Sequence, residues 1–157
     1  TPPQRPGASS RCTPLLTCHF TPQRQDENGS VTLNTYASIE RLGDEPDSLP
    51  ESEFESRREE VANQVTLLAD RAKKAGSDLG GIKSPKGHSD EVGKLLKTME
   101  VGSNTLFQLA SNLRATTTPS EVKVLYDQHL EKSYALGDEQ RDLFQKLGAK
   151  QCIVDTS

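Results

Sequence analysis

The stretch SDEVGKLLKTMEVGSNTLFQLASNLRA, residues 89–115, decides the fold of this chain. Val92, Leu95, Met99, Gly102, Leu106, Leu109 and Leu113 recur at intervals of 3, 4, 3, 4, 3 and 4. That alternation keeps one apolar seam turned toward a partner helix. Ser89 stands where an N-cap is wanted, and Asp90 and Glu91 fall in the first turn, beside the positive end of the helix dipole. Gly93 and Gly102 each cost about 1 kcal/mol relative to Ala inside a helix, so this helix depends on packing, and Gly102 offers a neighbour a close approach. Thr116-Thr117-Thr118 ends it.

The same seam appears on both sides. Val61, Val65, Leu68, Ala72, Ala75 and Leu79 are spaced 4, 3, 4, 3 and 4, with Phe54 one heptad before Val61. The spacing predicts a helix over 51–79, with Ser52 and Glu55 as a capping box and Gly80-Gly81 as the stop. Downstream, Thr118-Pro119-Ser120-Glu121 places a hydroxyl at the N-cap, proline at the first helical position and glutamate three residues after the cap. Val122, Leu125, His129, Leu136, Leu143 and Leu147 then continue the stripe, widened by Tyr126, Leu130 and Phe144, which predicts a third helix over 119–147. At 1.5 Å per residue each helix is roughly 40 Å long. The expectation is an all-α chain: three long helices in an up-down-up, coiled-coil-like bundle over 51–150, joined by turns at 80–88 and 115–118.

Composition agrees with a small core. Apolar residues make up 32% of the 157 positions, aromatics 4%, and there is no tryptophan. Leu, Ile, Val and Phe number 33; 23 of them lie between 51 and 150 and only 8 in the first 50. The first 50 residues therefore read as a polar, largely disordered tail, and residues 151–157 as a second short one. Prolines at positions 2, 3, 6, 14 and 22 deny the first stretch a continuous helix or central strand. Val31 to Ile39 is rich in β-branched residues and permits a short strand over 31–39. Asp44-Glu45-Pro46-Asp47-Ser48-Leu49-Pro50 is then the expected domain boundary.

Several function classes find no support. The net charge of −4, with both signs interspersed, supplies no basic footprint for nucleic acid, and no apolar run suits membrane insertion. The histidines, His19, His88 and His129, form no metal-ligand spacing, and no carboxylate-x-x-His pair precedes His129, where Tyr126 stands instead. His129 reads as a core-edge residue. No glycine-rich phosphate loop is present, since Gly80-Gly81 follows no strand. No cofactor, metal or small-molecule substrate is expected, and the chain does not read as an enzyme.

What remains is protein recognition. Ala72, Ala75, Gly102 and Ala110 make the seams thin, and a thin three-helix core invites completion by another chain. Val65, Leu68, Leu106, Leu109, Leu136 and Leu143 are the seam positions expected to meet a protein partner or a second copy. Tyr36-Ala37-Ser38-Ile39 resembles an extended recognition peptide in which Tyr36 and Ile39 fill two pockets. Ser84-Pro85-Lys86 resembles a proline-directed phosphorylation site in an exposed turn. The expected role is a non-enzymatic interaction module, an adaptor or assembly subunit. A secreted helical ligand or a self-assembling structural protein is the alternative. Three cysteines, Cys12, Cys18 and Cys152, are too few and odd for a disulfide framework and suggest a reducing, cytoplasmic setting. The secreted alternative would pair Cys12 or Cys18 with Cys152 and use the sequon at Asn28.

Overall fold

The computed structural model describes residues 22–148, with side chains from Ser30 onward. The described residues form four helices and no strand: α1 (Pro22–Gly43), α2 (Glu51–Gly80), α3 (Ser89–Ala115) and α4 (Pro119–Lys146). Residues 1–21 and 149–157, with the expectations that concern Cys12, Cys18, His19 and Cys152, lie outside the described residues, as does the side chain of Asn28.

The expectation of three helices and a tail that includes 22–50 is corrected by α1. Pro22 opens this helix, where its missing N–H costs nothing and its fixed φ suits the first turn. Val31, Thr35, Ile39 and Leu42 then recur at helical spacing along one side, and Thr35, Ile39 and Leu42 are buried. The Thr35 hydroxyl donates to the Val31 carbonyl at 2.8 Å, so a polar group enters the interior already satisfied. The β-branched residues that suggested a strand over 31–39 lie within this helix, because burial outweighs their modest intrinsic preference.

The chain runs up-down-up-down. α2 packs along α3, α3 along α4, and α1 closes the ring against α4 and α2. The short links place the C-termini of α1 and α3 beside the N-termini of α2 and α4. Arg58 of α2 donates to the Thr116 carbonyl at 2.6 Å just past the end of α3, and Arg114 of α3 reaches Glu59 of α2 at 3.3 Å. On the other side, a Cβ on Gly43 of α1 would stand 3.2 Å from the Lys123 backbone of α4.

The acidic segment 44–50 is a pinned loop between packed helices, and the domain boundary expected there is not present. Asp44 accepts from the Lys123 ammonium at 3.1 Å and Glu45 from Arg57 at 2.7 Å. Asp47 accepts from both the Ser120 backbone N–H at 3.0 Å and its hydroxyl at 2.9 Å. The Asp47 carboxylate thus sits on the N-terminus of α4, where helix N–H groups lack partners within the helix. Thr118 caps the same end, accepting from Glu121 N–H at 3.3 Å. Glu121 in turn accepts from Thr117 N–H at 2.6 Å, one residue earlier than a reciprocal capping box would place it. The other two expected caps are displaced: α2 follows Pro50 and α3 follows His88, and neither has a side-chain cap bond.

The interior has two parts. The larger cluster lies toward the 44–50 loop and joins all four helices through Ile39, Leu42, Phe54, Val65, Leu113 and Val122 among others. The smaller one, at the opposite end, centres on Leu79, Leu95 and Leu143. Between them the helices meet over small residues. A Cβ on Gly102 would be 3.2 Å from Leu136 Cδ2, and one on Gly76 would be 3.5 Å from Met99 Cβ. The close approach anticipated at Gly102 is therefore made, by α4.

Candidate interaction surface

Between α3 and α4 runs a groove of about 290 Å³ lined by Val101, Asn104, Gln108, Gln128, Lys132 and His129 among others, with Leu109 and Leu125 also in its lining. One wall is set by helical spacing: Asn104, Gln108 and Asn112 follow at intervals of four, so their amides form a stripe on α3. All three are exposed. Gln108 donates to Asn112 at 2.9 Å, leaving its carbonyl oxygen and the Asn104 amide turned to solvent partners. From Val101 to Leu113 the sequence carries no charged residue, although 27% of the chain is charged. The groove is accordingly a hydrogen-bonding surface with one cation, Lys132, at its α4 rim.

Behind this wall lies a polar pair in the α1–α4 interface. The Tyr36 hydroxyl and His129 Nε2 are hydrogen-bonded at 3.0 Å. Tyr36 meets Tyr126 and His129 edge-on, with ring centroids 6.0 and 5.6 Å away, the geometry favoured by aromatic quadrupoles. His129 is 5% exposed, and its Nδ1 has no hydrogen-bond partner. Burial, and then the Lys132 charge, hold the His129 imidazole below its ordinary pKa. Burial pushes the Tyr36 phenol up, offset in part by a hydrogen bond with Ser133. Burial also raises Tyr126, helped by the negative charge of Glu40. At the α4 cap the effect is opposite: hydrogen bonds from the Thr117 backbone and hydroxyl hold Glu121 below the usual carboxylate range.

The residues singled out from sequence are distributed differently from that expectation. Ile39 is fully buried and Tyr36 half-buried, both on a packed helix, so the segment 36–39 is not an accessible extended peptide. The seam positions Val65, Leu68, Leu106 and Leu109 are buried in the larger cluster and Leu143 in the smaller one. Leu136 is half-buried against Gly102. The seams are thus filled by this chain's own helices. Sequence reasoning passed over Asn104, Gln108 and Asn112, whose signal was the uncharged run within an otherwise charge-rich chain.

Among the described residues no cluster of His, Cys, Asp and Glu could hold a metal ion, and no helix is long and apolar enough to cross a membrane. Comparison with family models, curated proteins and solved structures finds no match for this chain.

Proposed function

We propose that this chain is a non-enzymatic protein–protein interaction module that uses the α3–α4 groove as its docking face. The observation carrying this reading is the uncharged amide stripe of Asn104, Gln108 and Asn112 on a surface otherwise dense in charge. Depletion of charge is the compositional mark of an interface core, because amides lose less than ions when water is removed. The partner is a protein segment without net charge that offers backbone or amide groups to this stripe. It contacts the half-exposed apolar surface around Val101 and Leu125 at the same time. The seams of α2 and α3 keep the bundle coiled-coil-like and serve as a rigid support rather than as the contact itself. A reducing compartment, as the sparse cysteines suggest, suits such an adaptor.

The test places a photo-crosslinking amino acid at position 108 and, as control, at exposed Leu67 on the outer side of α2. A partner captured at 108 and not at 67 is then purified, and its affinity measured by calorimetry against the parent and against N104D/Q108E. The reading requires at least a tenfold weakening, since two buried charges without partners are costly. Equal capture at both positions, or unchanged affinity, refutes it.

A further inference from the structure

We propose that His129 makes the docking of α1 sensitive to acid, so that protonation of its imidazole releases this helix from the rest of the bundle. The inference rests on the packing around the ring and is independent of the groove's role.

His129 is 5% exposed, bonded through Nε2 to Tyr36 at 3.0 Å, and has an unpartnered Nδ1. A neutral imidazole tolerates this arrangement. An imidazolium carries a proton on both nitrogens, and here the Nδ1 proton would be buried with no acceptor while the charge is shut away from water. The surroundings supply no compensation. From α1 the ring faces the neutral Tyr36; the carboxylate of Glu40 on that helix exerts its influence on Tyr126 and Lys123. From α3 the groove brings Asn104, Thr105, Gln108 and Asn112, none of them charged. On α4 itself Tyr126 is neutral, and Lys132 is the charge that His129 feels, a repulsive one. The docked ring therefore holds a proton more weakly than a free imidazole, whose pKa is about 6.5. Docking is fully favoured above that value and loses ground as the pH falls below it.

The helix that gives way is set by the architecture. α1 packs on α4 and α2, while α2 packs along α3 and α3 along α4 through contacts that do not involve α1. Lifting α1 removes the Tyr36 cover and hydrates the imidazolium; Ile39 and Leu42 leave the interior with it, while the α2–α3 and α3–α4 contacts stay in place. Release is thus a local opening of the kind that precedes global unfolding.

Amide hydrogen exchange on the full chain, expressed as protection factors so that the intrinsic pH dependence cancels, reads this directly. Between pH 7.5 and 5.0 protection across 31–42 falls, by as much as about thirtyfold if the docked ring stays neutral against a free pKa of about 6.5. Protection around Val65 and Leu109 changes far less. H129Q keeps a hydrogen-bonding side chain that cannot titrate, and flattens the response of 31–42. K132E, at an exposed position, gives the imidazolium a counter-charge and reduces the loss while leaving the fold in place. Constant protection of α1 over this range overturns the proposal. So does an equal loss in all four helices, or a K132E response as large as that of the parent.

Discussion

Ile39 provides the sharpest test of whether residues 31–43 belong to the folded body. The substitution Ile39→Ala removes three side-chain carbons from a position with no solvent exposure, in the cluster that contains Leu42, Phe54 and Val122. At about 0.8 kcal/mol per buried carbon the transfer loss is about 2.4 kcal/mol. The cavity left behind carries the total to between about 2.5 and 4 kcal/mol, because the pinned 44–50 loop limits how far α1 can settle. With a urea slope of about 1–3 kcal/mol per molar for a domain of this size, the midpoint of the far-ultraviolet circular dichroism transition drops by roughly 1–4 M. Leu33→Ala, on the same helix at a site 70% exposed, is the internal control and shifts stability by less than about 0.5 kcal/mol. Coincident melts for Ile39→Ala and the parent would refute the reasoning, since a buried isoleucine cannot be truncated without effect.

Gly93 has nothing within 4 Å of where a Cβ would stand, so Gly93→Ala should stabilise the bundle by about 0.5–1 kcal/mol through helix propensity alone, seen as a higher thermal midpoint. Gly87, with φ of +81°, should respond in the opposite direction to the same replacement, because the left-handed region strains any residue with a Cβ. Thr118→Ala removes the acceptor for Glu121 N–H at 3.3 Å and should cost about 1 kcal/mol in urea melts.

The three long helices follow stretches whose apolar residues alternate at three and four, and there the signal is strong because one side of each helix is buried along most of its length. α1 was harder to read for reasons that lie in its residues. Thr35 occupies a buried position with a hydroxyl, and only its bond to the Val31 carbonyl makes that acceptable; in the sequence it breaks the apolar stripe. Pro22 belongs to a run of prolines, yet stands at the one part of a helix that welcomes it. Asp44, Glu45 and Asp47 read as a solvated linker, whereas their partners Lys123, Arg57 and Ser120 are distant in sequence and adjacent in space. A heptad seam also carries no record of which chain fills it. The thin core inferred from Ala72, Ala75 and Gly102 suggested a missing partner, and α1 of the same molecule helps to supply it. The amide stripe was legible only as an absence of charge from Val101 to Leu113, a negative signal that periodicity does not register.

The antiparallel register of α1 on α4, with Gly43 beside Lys123 and Tyr36 beside His129, has a topological consequence. Carried back at one residue per residue, it brings the backbone of Pro22 alongside residues 143–144, so the described body begins and finishes at one end, opposite the pinned loop. A short bridge from residue 148 to residue 22 would close the four helices into a ring. The exposed α2–α3 connection around Lys83 and Gly87 could then be cut to give new ends. Such a circular permutant would add a covalent tether to the noncovalent interface between α1 and α4, so that α1 would stay close enough to return to His129 each time it lifted away.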